Sequence, residues 1–136
     1  MLQRIQTIWF LLASVCSFLT LKFPFYSGTN AKAIASYPLT GTENSLLLAA
    51  TLIVGLLSIV ILCLFKNRIM QLRLIILAIL IEAFLLFLYV RQAQTFTVGT
   101  YSLTALLHGF IILLLLLAAR AINKDEKLIK SSDRLR

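Results

Sequence analysis

The sequence has few of the residues that interrupt helices or carry familiar enzyme chemistry. Glycine and proline number only five and two among 136 residues, so long uninterrupted helices are expected. There is one histidine, His108, and the two cysteines, Cys16 and Cys63, form no Cys-x-x-Cys pair. The sequence also has no phosphate-binding glycine loop, no His-Glu-x-x-His and no Gly-x-Ser-x-Gly. We therefore predict a chain that is not an enzyme and holds neither a metal nor a cofactor.

Acidic residues are also scarce, whereas apolar residues are in large excess. The chain has 13 Lys and Arg against five Asp and Glu, and 60% of its residues are hydrophobic. The mean hydropathy is +0.96. Soluble domains contain roughly 45–50% apolar residues, so this composition indicates that lipid is the solvent. In a membrane protein, the positions of the basic residues report orientation more than they report nucleic-acid binding.

Four apolar stretches are long enough to cross a bilayer, for which about 20 residues are needed. None alternates with a period of two, and backbone in lipid must satisfy its own hydrogen bonds, so helices are expected and a barrel is not. We predict an all-α fold, an integral membrane bundle of four antiparallel transmembrane helices in residues 1–119. The fourth helix is expected to extend into a cytoplasmic basic amphipathic tail, residues 120–136. The predicted helices are at about residues 5–23, 45–65, 74–90 and 100–119.

The distribution of basic residues predicts that both termini are cytoplasmic. In this orientation the cytoplasmic segments hold ten Lys and Arg, and the outer segments hold only Lys22, Lys32 and Arg91. A cleavable signal peptide is an alternative reading of the start, because Arg4 precedes an apolar run and small residues follow it. Lys22 and Pro24 intervene before those small residues, so an uncleaved anchor is preferred.

Two titratable side chains lie far from either end of the predicted helices: Glu82 in the third and His108 in the fourth. Because a loop of about ten residues joins these helices, we expect antiparallel neighbours that place both side chains at similar depth. A buried carboxylate is costly in lipid unless it is protonated or paired, so we predict a buried polar pair. The preferred interpretation is a structural pair that fixes helix packing, and the alternative is a proton-coupled site.

Small residues four apart predict close helix packing at two places. Thr51 and Gly55 form one such pair, and Ala105 and Gly109 form another beside His108. Small side chains at this spacing let two helix backbones approach each other in a membrane.

The tail is predicted to be a helix with two faces. Its basic face comprises Arg120, Lys124, Lys127, Lys130 and Arg134. Its apolar face includes Ile122, Leu128, Ile129 and Leu135. One interpretation is an anchor on anionic lipid head groups, and another is a docking helix for a membrane or cytoplasmic protein or a second copy of the chain. Nucleic acid is a less favoured partner because the tail has no aromatic residues and no fold around it.

The two ends of the chain carry a resemblance to a known family. The opening MLQRIQT, residues 1–7, and the closing AINKDEKLIKSSDRLR, residues 121–136, resemble a family of small bacterial inner-membrane proteins, domain of unknown function 4293. The resemblance implies four spanning helices and a multi-pass location in the bacterial inner (cytoplasmic) membrane. It implies no activity, because the family has none established.

Two classes of function remain open. The favoured one is a non-catalytic accessory or scaffold protein that recruits a partner through its cytoplasmic ends. The alternative is a small proton-coupled transporter that uses Glu82 and His108. The chain is similar in size to the four-helix drug exporters with a membrane-buried glutamate, but their glutamate is in the first helix and Glu82 is in the third.

Overall fold

A computed structural model describes residues 3–29, 37–64 and 67–133, with side chains over residues 6–29, 37–64 and 67–128. Helices account for most of this part of the chain, and a short 3₁₀ turn at Leu103–Ala105 precedes the last of them. The α-helices are α1 (Gln3–Lys22), α2 (Ser45–Cys63), α3 (Arg68–Ala93) and α4 (Leu106–Asp133).

The third helix is longer than the sequence predicted. It has 26 residues and begins at Arg68, so most of the stretch expected to be a turn before residue 74 is helical. The Gln71 side chain stabilises this first part of α3 by donating a hydrogen bond of 3.1 Å to the Ile61 carbonyl oxygen of α2. A buried amide that satisfies a carbonyl near the end of the preceding helix holds the two helices together at their connection.

The fourth helix begins later than expected. Residues 98–101 form a strand, and α4 starts at Leu106. The start is delayed because this segment pairs with the chain that follows α1, where the Ser102 amide donates to the Phe25 carbonyl oxygen at 3.0 Å. Past residue 119 the helix continues without a break to Asp133.

A small antiparallel sheet corrects the purely helical prediction. The strands β1 (Tyr26–Thr29), β2 (Tyr37–Leu39) and β3 (Val98–Tyr101) pair in the order β2-β1-β3. Gly28 of β1 lies opposite Gly99 of β3. A Cβ on Gly28 would lie 2.3 Å from the Val98 carbonyl oxygen, so only glycine fits this close approach of the two backbones.

The sheet brings four helix ends together. Its strands follow α1, precede α2 and connect α3 to α4, so we call this region the sheet end. At the opposite end, Gln6 of α1 contacts Asp125 of α4, and the connection between α2 and α3 lies nearby. We call this second region the terminal end.

The buried residues pack in two clusters along the helices. One cluster contains Phe10, Val54, Ile75 and Leu114, and therefore draws on all four helices. The other lies at the sheet end and contains Phe25, Leu39, Leu47, Leu85 and Tyr89.

The outward faces of the helices are apolar as well. Leu11, Leu56, Leu80 and Leu116 come from four different helices and are 55%, 55%, 63% and 51% exposed. Apolar surface over whole helices marks contact with lipid or with other proteins. By length and composition, three helical segments among the described residues could cross a membrane: Ser45–Cys63, Arg68–Ala93 and Leu103–Leu128. Within α1 the apolar stretch is shorter, Gln6–Lys22.

Candidate functional site

Glu82 and His108 meet between α3 and α4. The His108 Nδ1 atom lies 2.7 Å from the Glu82 Oε1 atom, and the two side chains are 2% and 1% exposed. This distance is typical of a strong hydrogen bond that involves a charged group. Chemically, the pair can share one proton, with either the imidazole donating to a carboxylate or a carboxylic acid donating to the imidazole.

Aromatic rings pack against His108 on its side toward the sheet. The Phe25 and Tyr89 rings stack with their centroids 4.7 Å apart. Both rings also contact His108, with centroid distances of 5.6 Å from Phe25 and 4.9 Å from Tyr89. The Phe25 and Tyr101 rings are nearly perpendicular, with their centroids 5.9 Å apart. These rings therefore pack His108 against the residues of the sheet end.

Tyr89 is a member of this site that the sequence analysis did not single out. It is completely buried. Its hydroxyl lies beside Gly41, as shown by the 2.8 Å that would separate this oxygen from a Cβ on Gly41. The signal in the sequence is its spacing, since Tyr89 follows Glu82 by seven residues, or about two helical turns. Phe25 had no comparable signal, because it lies outside the helices and reaches the pair only through tertiary packing.

Thr51 and Gly55, the first of the two small-residue pairs, lie where α1 and α2 approach closely. The Ser17 and Ser14 hydroxyls of α1 donate to the carbonyl oxygens of Thr51 and Gly55 at 3.1 and 3.2 Å. A Cβ on Gly55 would lie 3.0 Å from the Phe18 ring. Glycine at this position therefore lets α1 approach α2.

In the second small-residue pair, Ala105 and Gly109, only one residue packs against the rest of the protein. Ala105 packs against the cluster at the sheet end. The prediction for Gly109 is wrong, because this residue is exposed and a Cβ there would meet nothing within 4 Å. His108 points to the interior, and the next residue is turned by about 100° around the helix, which directs Gly109 outward.

Part of the predicted apolar face of the tail is buried within the protein. Ile122 is 1% exposed and belongs to the buried core, so the prediction that it contacts a partner is wrong. Leu128 is 50% exposed. On the basic face, Arg120, Lys124 and Lys127 are exposed. The side chains of Ile129, Lys130, Arg134 and Leu135 lie outside the described residues.

A hydrogen bond joins the two ends of the chain. The Gln6 side-chain amide donates to the Asp125 carboxylate at 2.5 Å, and the two residues are 9% and 7% exposed. These residues belong to the two segments that carry the family resemblance. Sequence reasoning missed the contact, because the residues are 119 positions apart.

The part of the chain that the structure describes contains no group of three or more His, Cys, Asp or Glu side chains that could hold a metal ion. Cys16 is buried and Cys63 is exposed, and neither forms a disulfide.

Comparison with known protein families shows the family to which the chain belongs. The sequence profile described as Domain of unknown function (DUF4293) matches residues 2–135, which is nearly the whole chain. The chain belongs to this family. The DUF4293 description assigns no activity. No curated protein and no solved structure matches the chain.

Proposed function

We propose that this DUF4293 protein is a non-catalytic accessory or scaffold protein of the bacterial inner membrane. Its four helices cross the bilayer in alternating directions, and both termini are cytoplasmic. The start of α1 and the last part of α4 together form one surface that recruits a protein partner. The observation that carries this proposal is the buried hydrogen bond between Gln6 and Asp125, which seats the last part of α4 on the start of α1.

The membrane topology is supported by charge and by surface chemistry. In the proposed orientation the cytoplasmic segments hold ten of the 13 Lys and Arg residues, as the positive-inside rule requires. Large apolar side chains cover the outward faces of the helices between the two ends. A reporter that is active only outside the cytoplasm should be active when inserted near Gly41 and inactive when fused after Arg136. The reverse pattern would contradict this topology.

The composite surface is suited to binding because its interior is fixed and its exterior is charged. Ile122 and Asp125 face inward, and their burial holds the tail against the bundle. Lys124 and Lys127 then face outward next to the exposed side chain of Leu128. A basic patch beside an exposed apolar residue favours an acidic partner, because charge attracts the partner and apolar contact holds it.

Site-specific photo-crosslinking in intact membranes tests recruitment. A photoreactive amino acid is placed at Leu128, with Leu113 as the matched control, since both side chains lie on α4 and are 50% exposed. Recruitment predicts a discrete protein adduct from position 128 and lipid adducts alone from position 113. The combined substitution of Lys124→Gln and Lys127→Gln should reduce the protein adduct. Lipid adducts alone at both positions would mean that the tail is a plain anchor.

A second candidate function is proton-coupled transport, which the buried pair of Glu82 and His108 favours. The pair can hold one proton between two helices, as a coupling site must. Against this function, the side chains are almost fully buried and bonded to each other, with aromatic rings on one side. If Glu82→Gln abolished a proton-coupled efflux while the protein level held, transport would replace the scaffold proposal.

A further inference from the structure

The small sheet has two outer strands, β2 and β3, and only β2 carries a residue that blocks further pairing. Ser27 of the central strand lies opposite Pro38 on one side and opposite Thr100 on the other. Pro38 has no backbone N–H, so β2 cannot offer a complete row of donors to another strand. The β3 strand, Val98–Tyr101, contains neither a proline nor a charged residue. Sheets protect their edges with such residues, so β3 is an open edge.

The backbone groups of Gly99 and Tyr101 point away from the sheet along this edge. The Ser102 amide donates to the Phe25 carbonyl oxygen at 3.0 Å, so the Ser102 amide faces β1. Backbone groups alternate in direction along a strand, so those of Thr100 also face β1 and those of Gly99 and Tyr101 face outward. These outward N–H and C=O groups make no hydrogen bond to another described residue. They can therefore pair with a further strand.

The side chains beside this edge are apolar, exposed and uncharged. The exposed ones are Val98 at 73%, Tyr101 at 59%, Leu103 at 83% and Leu106 at 69%. No Lys, Arg, Asp or Glu occurs between Arg91 and Arg120. Lipid chains can cover apolar side chains, but they cannot form hydrogen bonds with the backbone of β3. The occupant that suits this edge is therefore another uncharged β-strand.

The outward groups of β3 have a pattern that pairs with itself. When two copies of β3 run antiparallel with their Thr100 residues opposite each other, Gly99 of each copy lies opposite Tyr101 of the other. Both residues direct their N–H and C=O groups outward, so each pair can exchange two hydrogen bonds. Each Tyr101 also lies opposite a glycine, which has no side chain to oppose the ring. A twofold axis beside Thr100 generates this arrangement, and twofold dimers are the commonest oligomers.

The placement of the sheet suits two copies with the same direction across a membrane. Its inner face packs toward the ends of the helices, since Tyr26 and Leu39 are buried in one cluster with Leu47 of α2 and Tyr89 of α3. The twofold axis of an antiparallel strand pair is perpendicular to the sheet. Such an axis therefore runs broadly along the helices, and it relates two copies that cross the membrane in the same sense.

We propose that β3 is the interface of a homodimer in which two three-stranded sheets join edge to edge. The backbones of Gly99 and Tyr101 in the two copies form the hydrogen bonds, and the exposed apolar side chains beside β3 are covered. This interface lies at the sheet end, whereas the proposed recruitment surface lies at the terminal end. Dimerisation and recruitment therefore do not depend on each other.

Disulfide trapping in isolated membranes tests the interface. Thr100→Cys and Val98→Cys are made separately in a protein with alanine in place of Cys16 and Cys63. The two Thr100 Cα atoms would be about 4.5 Å apart across the axis, which a disulfide can bridge. The two Val98 positions would be separated by four residues along the strands, or about 13 Å, which is too far. Val98 is the matched control because it is exposed and lies on the same face of β3 as Thr100.

Oxidation should convert the Thr100→Cys protein to a species of twice the chain mass of 15.3 kDa. The Val98→Cys protein should keep the mass of one chain. The proposal is overturned when position 100 gives no adduct, or when both positions give equal amounts of it. An adduct of any other mass at position 100 would mean that a different protein pairs with this edge, and would also overturn the homodimer.

A charge variant tests the same interface without cysteine. Thr100→Lys places two like charges opposite each other across the axis, and the exposed side chain leaves the pairing of β3 with β1 intact. Sedimentation equilibrium in detergent should show dimerisation about fivefold weaker than in the parent, the effect of one unfavourable cross-strand pair. Pro38→Lys is the matched control, since Pro38 is also exposed and also lies opposite Ser27, and it should dimerise like the parent.

These measurements decide the proposal even if the cysteine variant does not fold, which circular dichroism checks for every variant. A parent protein that is monomeric at all concentrations would overturn the homodimer. So would a Thr100→Lys protein that dimerises as tightly as the parent.

Discussion

The two ends of this protein are held together in different ways. At the sheet end, three strands pair their backbones, and the stacked rings of Phe25 and Tyr89 pack against His108. At the terminal end, the described contacts between helices are made by side chains, among them the hydrogen bonds from Gln6 to Asp125 and from Gln71 to Ile61 and the buried side chain of Ile122.

This difference indicates that the sheet end contributes more to stability and that the terminal end is better suited to recruiting a partner. A sheet and stacked rings give many simultaneous contacts, so the sheet end is expected to open only with the whole fold. Side-chain contacts near helix ends can break one at a time, so the terminal end is expected to open locally. The proposed recruitment surface is at the terminal end, where the exposed side chains of Lys124 and Lys127 also lie.

The largest expected effect is that of Glu82→Ala. This change leaves His108 buried without its partner and opens a cavity beneath the aromatic rings, so we expect a loss of about 3 kcal/mol in the free energy of unfolding. Glu82→Gln keeps the volume and one hydrogen bond, and should cost less than about 1 kcal/mol. Unfolding by denaturing detergent in mixed micelles measures both variants. Equal losses in the two would mean that charge, and not packing, stabilises this site.

Gly28→Ala tests the sheet itself. The added methyl group would lie 2.3 Å from the Val98 carbonyl oxygen, so β1 and β3 must separate. We expect a loss of about 2 kcal/mol, within the usual range for overpacking. The control is Gly109→Ala, where a Cβ meets nothing within 4 Å and the better helix propensity of alanine should stabilise α4 slightly. If Gly28→Ala unfolds like the parent, the sheet contributes little to stability.

Gln6→Ala should have a smaller and more local effect. It removes the hydrogen-bond donor to the buried Asp125 carboxylate, for which we expect about 1 kcal/mol. Amide hydrogen exchange should accelerate in α4 beyond residue 120 and remain unchanged in the strands. Lys124→Ala, which alters an exposed side chain on the same part of α4, serves as the control. Faster exchange at both ends would contradict the separation between them.

The smallest effect concerns Tyr37 at the sheet end. Its hydroxyl donates a hydrogen bond to Glu43, and this bond, followed by burial and the nearby negative charge, raises the pKa of Tyr37 above its usual value. Because the folded protein has the higher pKa, any stabilisation is complete below the usual tyrosine pKa of about 10 and is lost as pH rises through the raised value. The ultraviolet titration of the protein, compared with Tyr37→Phe, should show a late-ionising tyrosine that Glu43→Gln returns toward the usual value. A titration unaffected by Glu43→Gln would mean that the hydrogen bond does not persist in solution.

The positions of the helices could be predicted from the sequence because the hydropathy of each stretch is a local property of its residues. The boundaries were less predictable where tertiary contacts extend or delay a helix. The Gln71 side chain supports an earlier start of α3, and the pairing of β3 with β1 delays the start of α4. The direction of Gly109 was missed because small-residue spacing alone does not show which face of a helix is inward.

The sequence by itself determined that long apolar helices form, and it indicated that Glu82 and His108 lie at similar depth. Both results follow from local quantities, the hydropathy of a segment and the rise of a helix per residue. Only the tertiary structure decided that Phe25 and Tyr89 pack against His108, that Ile122 faces inward, and that Gln6 reaches Asp125. These contacts depend on how each helix is rotated about its axis, which is fixed by packing against its neighbours and not by the composition of the helix itself.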